Sequence, residues 1–215
     1  MSYSTTAAAT SVNNVLRNTY MLLSMTLAFS ALCTFLTLGV EMTMGVAVGG
    51  FITSIVLLVL VMFFRNSILA LPLVFAFTGT MGAFIGPAIQ HYLEMPNGTE
   101  IVMTAMGGTT MAFLLLSGYV LTTGKDFSAW GGFLFTGLLV LIGAMLLNIF
   151  LGMAALTLAI SSIAVLVFSA LILYDTSRII HGGETNYVMA TVSLYLDVMN
   201  LFLHLLQLLG FLGDD

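Results

Sequence analysis

Seven times this chain runs for about twenty residues with almost no charged side chain, and that repetition limits what it can fold into. A helix of that length spans the roughly 30 Å hydrocarbon core of a bilayer. The runs cover residues 20–40, 46–64, 68–90, 101–122, 130–150, 153–175 and 187–212. The overall charged fraction of 6% lies far below the roughly 25% of soluble domains, and 60% of the residues are hydrophobic. The expected fold is an all-α integral membrane protein, a bundle of seven transmembrane helices. Residues 1–19 form a polar N-terminal tail and residues 20–215 the membrane domain. The first run is too long for the 7–15-residue core of a signal peptide and reads as a retained span.

Only Leu151 and Gly152 separate the fifth and sixth runs. A single helix across both would far exceed any bilayer, so a tight turn is required there. Basic residues favour the cytoplasmic side, and they set the orientation. Arg17, Arg65, Lys125 and Arg178 fall on one face of this seven-span arrangement, while Glu41, Glu94, Glu100, Asp214 and Asp215 fall on the other. The N-terminus is therefore expected inside and the C-terminus outside. Nine acids against four basic residues leave no basic patch for nucleic acid and no polybasic segment for anionic lipid. Membrane lipid is the expected surroundings. Cys33, the single cysteine, has no intrachain disulfide partner and reads as a packing residue.

Small residues recur four apart at Gly45 and Gly49, Gly79 and Ala83, and Gly82 and Gly86, the spacing at which membrane helices approach closely. Pro87 is expected to kink the third span.

Two aspartates, Asp175 and Asp197, interrupt the last two runs. An ionised carboxylate in hydrocarbon costs about 2.5–3.5 kcal/mol even on insertion scales, so each is expected to face protein or a wet cavity. At about 100° per residue, Asn186, Ser193, Asp197, Asn200, His204 and Gln207 fall within an arc of roughly 80°. Lipid cannot satisfy such a stripe, so the seventh helix is expected to be central or cavity-lining, with Ser193, Asn200, His204 and Gln207 as lining residues. The alternative reading is interhelical hydrogen bonding worth about 0.6 kcal/mol per group.

The topology brings Arg65 to the depth of Asp175, within reach of a salt bridge for which Arg178, three residues on, competes. In a symmetric hairpin turning at Gly182 and Gly183, Asp197 lies about 10 Å deeper than Asp175. Contact between them requires an irregular connection; two carboxyls meeting inside a membrane would share a proton and act as a proton sensor. His181-Gly182-Gly183-Glu184 lacks zinc-site spacing, and no phosphate loop, nucleophile elbow or metalloprotease motif is present. No enzymatic activity and no cofactor are expected.

Ile180-His181-Gly182-Gly183-Glu184-Thr185-Asn186-Tyr187 and Ala190-Thr191-Val192-Ser193-Leu194-Tyr195-Leu196-Asp197 resemble the signature region of the Bax inhibitor family, also called the transmembrane Bax inhibitor motif family. Leu16-Arg17-Asn18-Thr19-Tyr20, Ala76-Phe77-Thr78-Gly79 and Tyr119-Val120-Leu121-Thr122-Thr123 resemble its bacterial inner-membrane, YccA-like branch. The resemblance implies a bundle whose last helix is surrounded by the other six, in the bacterial inner (plasma) membrane. In some members it implies a pH-sensitive calcium leak, with aspartates matching Asp175 and Asp197 as the proton-sensing pair and an arginine matching Arg65 as a latch. Asp197 would then meet the passing cation. The branch implies an alternative, a non-transporting modulator of a membrane-anchored AAA+ protease.

Overall fold

The computed structural model describes residues 2–41 and 43–213, with the backbone alone for residues 2–11, 44 and 47. The expected outer-face acids Asp214 and Asp215 lie outside the described residues. Seven α-helices make up nearly all of the described chain: α1 (Ser2–Leu36), α2 (Met44–Phe64), α3 (Ala70–Leu93), α4 (Gly98–Thr123), α5 (Gly131–Leu151), α6 (Ala154–Ile180) and α7 (Tyr187–Leu212). A single 3-10 turn, Ser128–Trp130, precedes α5, and no strand occurs among the described residues. Six helices are long and apolar enough to cross a membrane, and α2 contributes a shorter apolar stretch, Val48–Phe64.

The helix boundaries follow local chemistry. Thr43, in extended conformation, caps α2 by accepting from the Val46 N–H at 3.4 Å. The expected tight turn between the fifth and sixth runs is built on Gly152, whose φ of 60° is left-handed and whose N–H closes onto the Asn148 carbonyl. Asn148 completes it: its Oδ1 accepts from the Met153 N–H at 3.1 Å, and its Nδ2 donates to Thr157 Oγ1 at 2.6 Å. Two expected boundaries shift. The polar N-terminal segment is helical and begins α1, which then stops at Leu36 rather than at residue 40. Its alanines and the absence of Gly or Pro let the helix extend back toward the N-terminus. At its other end, Thr34 and Thr37 turn their hydroxyls onto the carbonyls of Ser30 and Cys33 before the chain leaves through Gly39. The sixth helix runs on past Asp175 to Ile180, and α3 continues through Pro87 to Leu93.

The chain forms two compact units. In the first, which takes the chain up to Glu94 together with Glu184–Tyr195, α3 packs on both α1 and α2. The α1–α3 seam is so close that glycine is required on α3. A Cβ at Gly82 would strike the backbone oxygen of Ser30 and lie 2.7 Å from its hydroxyl, and one at Gly86 would strike Thr37 Oγ1. Polar groups fill the seam: Thr34 donates to the Gly82 carbonyl at 2.8 Å, and Ser30 and the Tyr195 hydroxyl share a 2.7 Å hydrogen bond. The expected close packing at Gly45 and Gly49 is not found, because open space surrounds both positions. Spacing alone does not distinguish a packed glycine pair from an unpartnered one.

In the second unit, Met95–Gly183 with the chain from Leu196 onward, α6 packs on α4 and α5. Leu134, Leu141, Ile160, Ala164, Phe168, Leu171, Ile172 and Leu201 form its buried apolar core. Helix α7 contributes its first turns to one unit and the remainder to the other. It is the most enclosed of the six candidate spans, with 56% of its most apolar window buried against 11% for α5. Leu194, Tyr195, Leu201 and Leu206 are wholly buried beside the polar stripe, so burial encircles the helix instead of covering one face.

Candidate functional site

The second unit carries the costly carboxylate. Asp197 is buried on α7, at 5% exposure, and its carboxyl stands beside that of Asp175 on α6. Helix lengths account for the meeting that a symmetric hairpin forbids. Asp175 lies five residues before the end of α6 and Asp197 ten residues after the start of α7, depths of about 7.5 and 15 Å along the two helices. Residues 181–186 absorb the offset: the chain turns through Gly182, with φ of 73°, and then runs without helix to Asn186. Six non-helical residues can span up to roughly 20 Å, ample for the purpose.

Two carboxyls can share a hydrogen bond only with a proton between them. Asp175 also forms an ion pair with Arg178 at 3.6 Å, the local competitor expected from their spacing. The remaining oxygen of Asp197, Oδ2, is buried without a hydrogen-bond partner. Such an acceptor is costly unless a proton or cation uses it. Among the described residues no three His, Cys, Asp or Glu side chains converge.

A polar collar surrounds the Asp175 end of α6. Ser117 and Thr176 share a buried 3.2 Å hydrogen bond between α4 and α6. Ser177 accepts from the Phe127 N–H at 2.8 Å and stands 3.3 Å from His181 Nδ1, tying the α4–α5 connection to the end of α6. In that connection Asp126 caps the 3-10 turn by accepting from the Ser128 N–H at 2.8 Å. Its bonds with Ser128 hold the exposed carboxyl below the usual aspartate range.

The remaining stripe residues do not form one wall. Asn186 caps α7 by accepting from the Met189 N–H at 3.0 Å, and its Nδ2 donates to the Arg65 carbonyl at 3.1 Å and to Asn66 Oδ1 at 2.8 Å. Arg65 itself is the exposed C-cap of α2. Ser193 is half-buried, and Asn200 donates to the Leu196 carbonyl of its own helix at 2.8 Å. His204 and Gln207 converge on Ser161 of α6: the serine hydroxyl donates to Gln207 Oε1, and His204 Nδ1 lies 3.4 Å from it. Ser161, Asn148 and Tyr195 were not singled out in the sequence. The Ser161-Ser162 pair inside an apolar run was the available signal for the first; tyrosine and serine spaced 165 residues apart give none for the Ser30–Tyr195 contact.

Long apolar helices with a juxtaposed pair of acids between two of them define a helical membrane protein with ionisable groups held inside it. A family model described as "Inhibitor of apoptosis-promoting Bax1" matches residues 12–214. The chain is 47% identical over 204 residues to a membrane protein of Vibrio cholerae, covering 94% of this chain and 92% of that one. It is 46% identical over 209 residues to the Escherichia coli K12 protein named "Modulator of FtsH protease YccA", covering 95% and 93%. A Pseudomonas aeruginosa protein is 46% identical over 204 residues, covering 95% and 92%. The chain belongs to the Bax inhibitor family.

Proposed function

We propose that this chain is a bacterial inner-membrane modulator of a membrane-anchored AAA+ protease. The observation that carries the reading is its 46% identity to the Escherichia coli FtsH modulator across nearly the whole of both chains. A close relative is also named an inner membrane protein. The length of α1 supports the reading: 35 residues make a helix of about 52 Å, roughly 20 Å more than the hydrocarbon core needs. The first turns of the helix then project from the membrane, where a protease partner would meet them. All seven helices span, with Arg17, Arg65, Lys125 and Arg178 on the cytoplasmic side. The test is co-purification with the protease, together with its rate of substrate degradation for the intact chain and for a variant lacking residues 2–11. A truncated protein that still restrains the protease removes the projecting segment from the account; an intact protein that neither binds nor restrains it removes the function.

A second reading is favoured by the site itself. The paired carboxyls of Asp175 and Asp197, with Asp197 Oδ2 unpartnered, fit a proton-gated cation leak for which calcium is the first candidate. Protonation would weaken the hold of Asp175 on Arg178 and loosen the end of α6. Calcium flux into proteoliposomes between about pH 5 and 8 tests this. Asp175→Asn should flatten the pH response; an absence of flux at every pH, or an unchanged response in the variant, ends the reading.

A further inference from the structure

At the opposite end of α6 and α7 from the carboxyl pair, a cavity of about 360 Å³ opens, lined by Met145, Asn148, Ile149, Thr157, Ile160, His204 and Gln207. Its depth follows from the helix ends. Asn148 and Thr157 are three residues from the boundaries of α5 and α6, or about 5 Å, and Gln207 is five residues from the end of α7, or about 7.5 Å. The mouth therefore sits at headgroup level. His204, eight residues from the end of α7, lies at about 12 Å. Behind it the ring of Phe168 stacks on the imidazole, 6.0 Å between centroids at 16°, and the apolar core closes in with Leu171, Ile172 and Leu201.

We propose that this cavity is a hydrated vestibule that takes water and small hydrated cations from the aqueous phase next to the α5–α6 turn. The lining chemistry separates water from lipid as the occupant. The amides of Asn148 and Gln207, the Thr157 hydroxyl and the His204 ring bring polar groups to one wall. An acyl chain satisfies none of them, whereas water satisfies all. The acceptors Asn148 Oδ1, Thr157 Oγ1 and Gln207 Oε1 are already used once each, by the Met153 N–H, Asn148 and Ser161, and each retains a second lone pair. Neutral oxygens of this kind replace part of a hydration shell without trapping the ion. In this proposal Phe168, stacked on His204, closes the inner end of the vestibule. As the far mouth of a cation path it rests on the leak reading, but its hydration does not.

Cysteine accessibility tests it in sealed vesicles of the full-length protein, in a Cys33→Ser background. Thr157→Cys and Gln207→Cys should react with a membrane-impermeant thiosulfonate added on the side of the α5–α6 turn, at least about tenfold faster than Leu201→Cys beyond the closure. Reaction only with a lipid-soluble maleimide would show an acyl-filled groove and overturn the proposal. So would equal labelling at Leu201→Cys, which would show that Phe168 closes nothing. A Ser162→Cys variant, on an exposed position of α6, reports whether a weakly labelled preparation is folded and inserted, since it should take up the lipid-soluble reagent alone. Calcium flux measured on the same vesicles separates the two claims. Labelling without flux leaves the vestibule standing and removes the leak; flux without aqueous labelling does the reverse.

Discussion

The closest approach of a glycine to opposing backbone in the first unit is at Gly82, and replacing it with alanine gives a prediction whose size can be worked out. The new Cβ would collide with the Ser30 backbone oxygen and sit 2.7 Å from Ser30 Oγ and 2.9 Å from its carbonyl carbon. A rotamer change can move the hydroxyl, but backbone can yield only if α1 retreats, by roughly 1 Å to reach ordinary contact near 3.5 Å. That retreat stretches the 2.8 Å hydrogen bond from Thr34 to the Gly82 carbonyl and the 2.7 Å bond between Ser30 and Tyr195. Overpacking costs about 1–3 kcal/mol, and each strained interhelical hydrogen bond adds about 0.6. A loss of about 2–4 kcal/mol lowers the melting temperature of a chain this size by roughly 4–16 °C. Thermal unfolding of the detergent-solubilised protein, followed by size-exclusion fluorescence, reads this shift. Gly49→Ala is the matched control, with open space at its Cβ, and should remain near wild type. Ser30→Ala should not rescue Gly82→Ala, since the nearest clash is with backbone. Equal melting of the two alanine variants would refute the argument that glycine is required by the seam.

Asn186→Ala removes both the α7 cap and the tie to Arg65 and Asn66; at about 1 kcal/mol, amide exchange should quicken roughly fivefold in the first turn of α7 and in residues 65–69. Asn186→Asp keeps the capping oxygen and should quicken only residues 65–69; fast exchange in both places would show that the amide nitrogen is not the tie. For Asp126 the folded-state value is depressed, so its contribution is present at neutral pH and disappears as pH falls through that lowered value. Exchange at the Ser128 amide, corrected for intrinsic rate, should stay constant from pH 7 to 5 and rise only below about pH 4; a rise already near pH 6 would contradict the capping role. Reporter fusions after Arg17, Arg65, Lys125 and Arg178 should all be cytoplasmic, and a single one outside would break the seven-span arrangement.

The number and order of helices were legible because a stretch of twenty uncharged residues has few other fates, and residues 187–212 match α7 end to end. The helical state of the polar N-terminal segment was not legible from hydropathy, which measures affinity for lipid and not for helix. Glycine spacing marked a close approach at Gly82 and Gly86 without naming α1 as the partner, and misled at Gly45 and Gly49, since it carries no information about the opposing helix. In the site, buried charge marked Asp175 and Asp197, but their contact depended on six irregular residues whose path no periodicity describes. The polar stripe of α7 reads as lining, with interhelical hydrogen bonding as the alternative. Asn200 bonds within its own helix, while His204 and Gln207 both line a cavity and pair with Ser161, whose place beside Ser162 in an apolar run is the one available signal.

The most direct measurement is the rate at which a purified membrane-anchored AAA+ protease degrades a membrane substrate in proteoliposomes, with and without this chain at rising ratio. The rate should fall in a saturable manner as the chain is added, with ATP hydrolysis and folding of the protease intact. A rate unchanged at several-fold excess of correctly inserted protein would contradict the account.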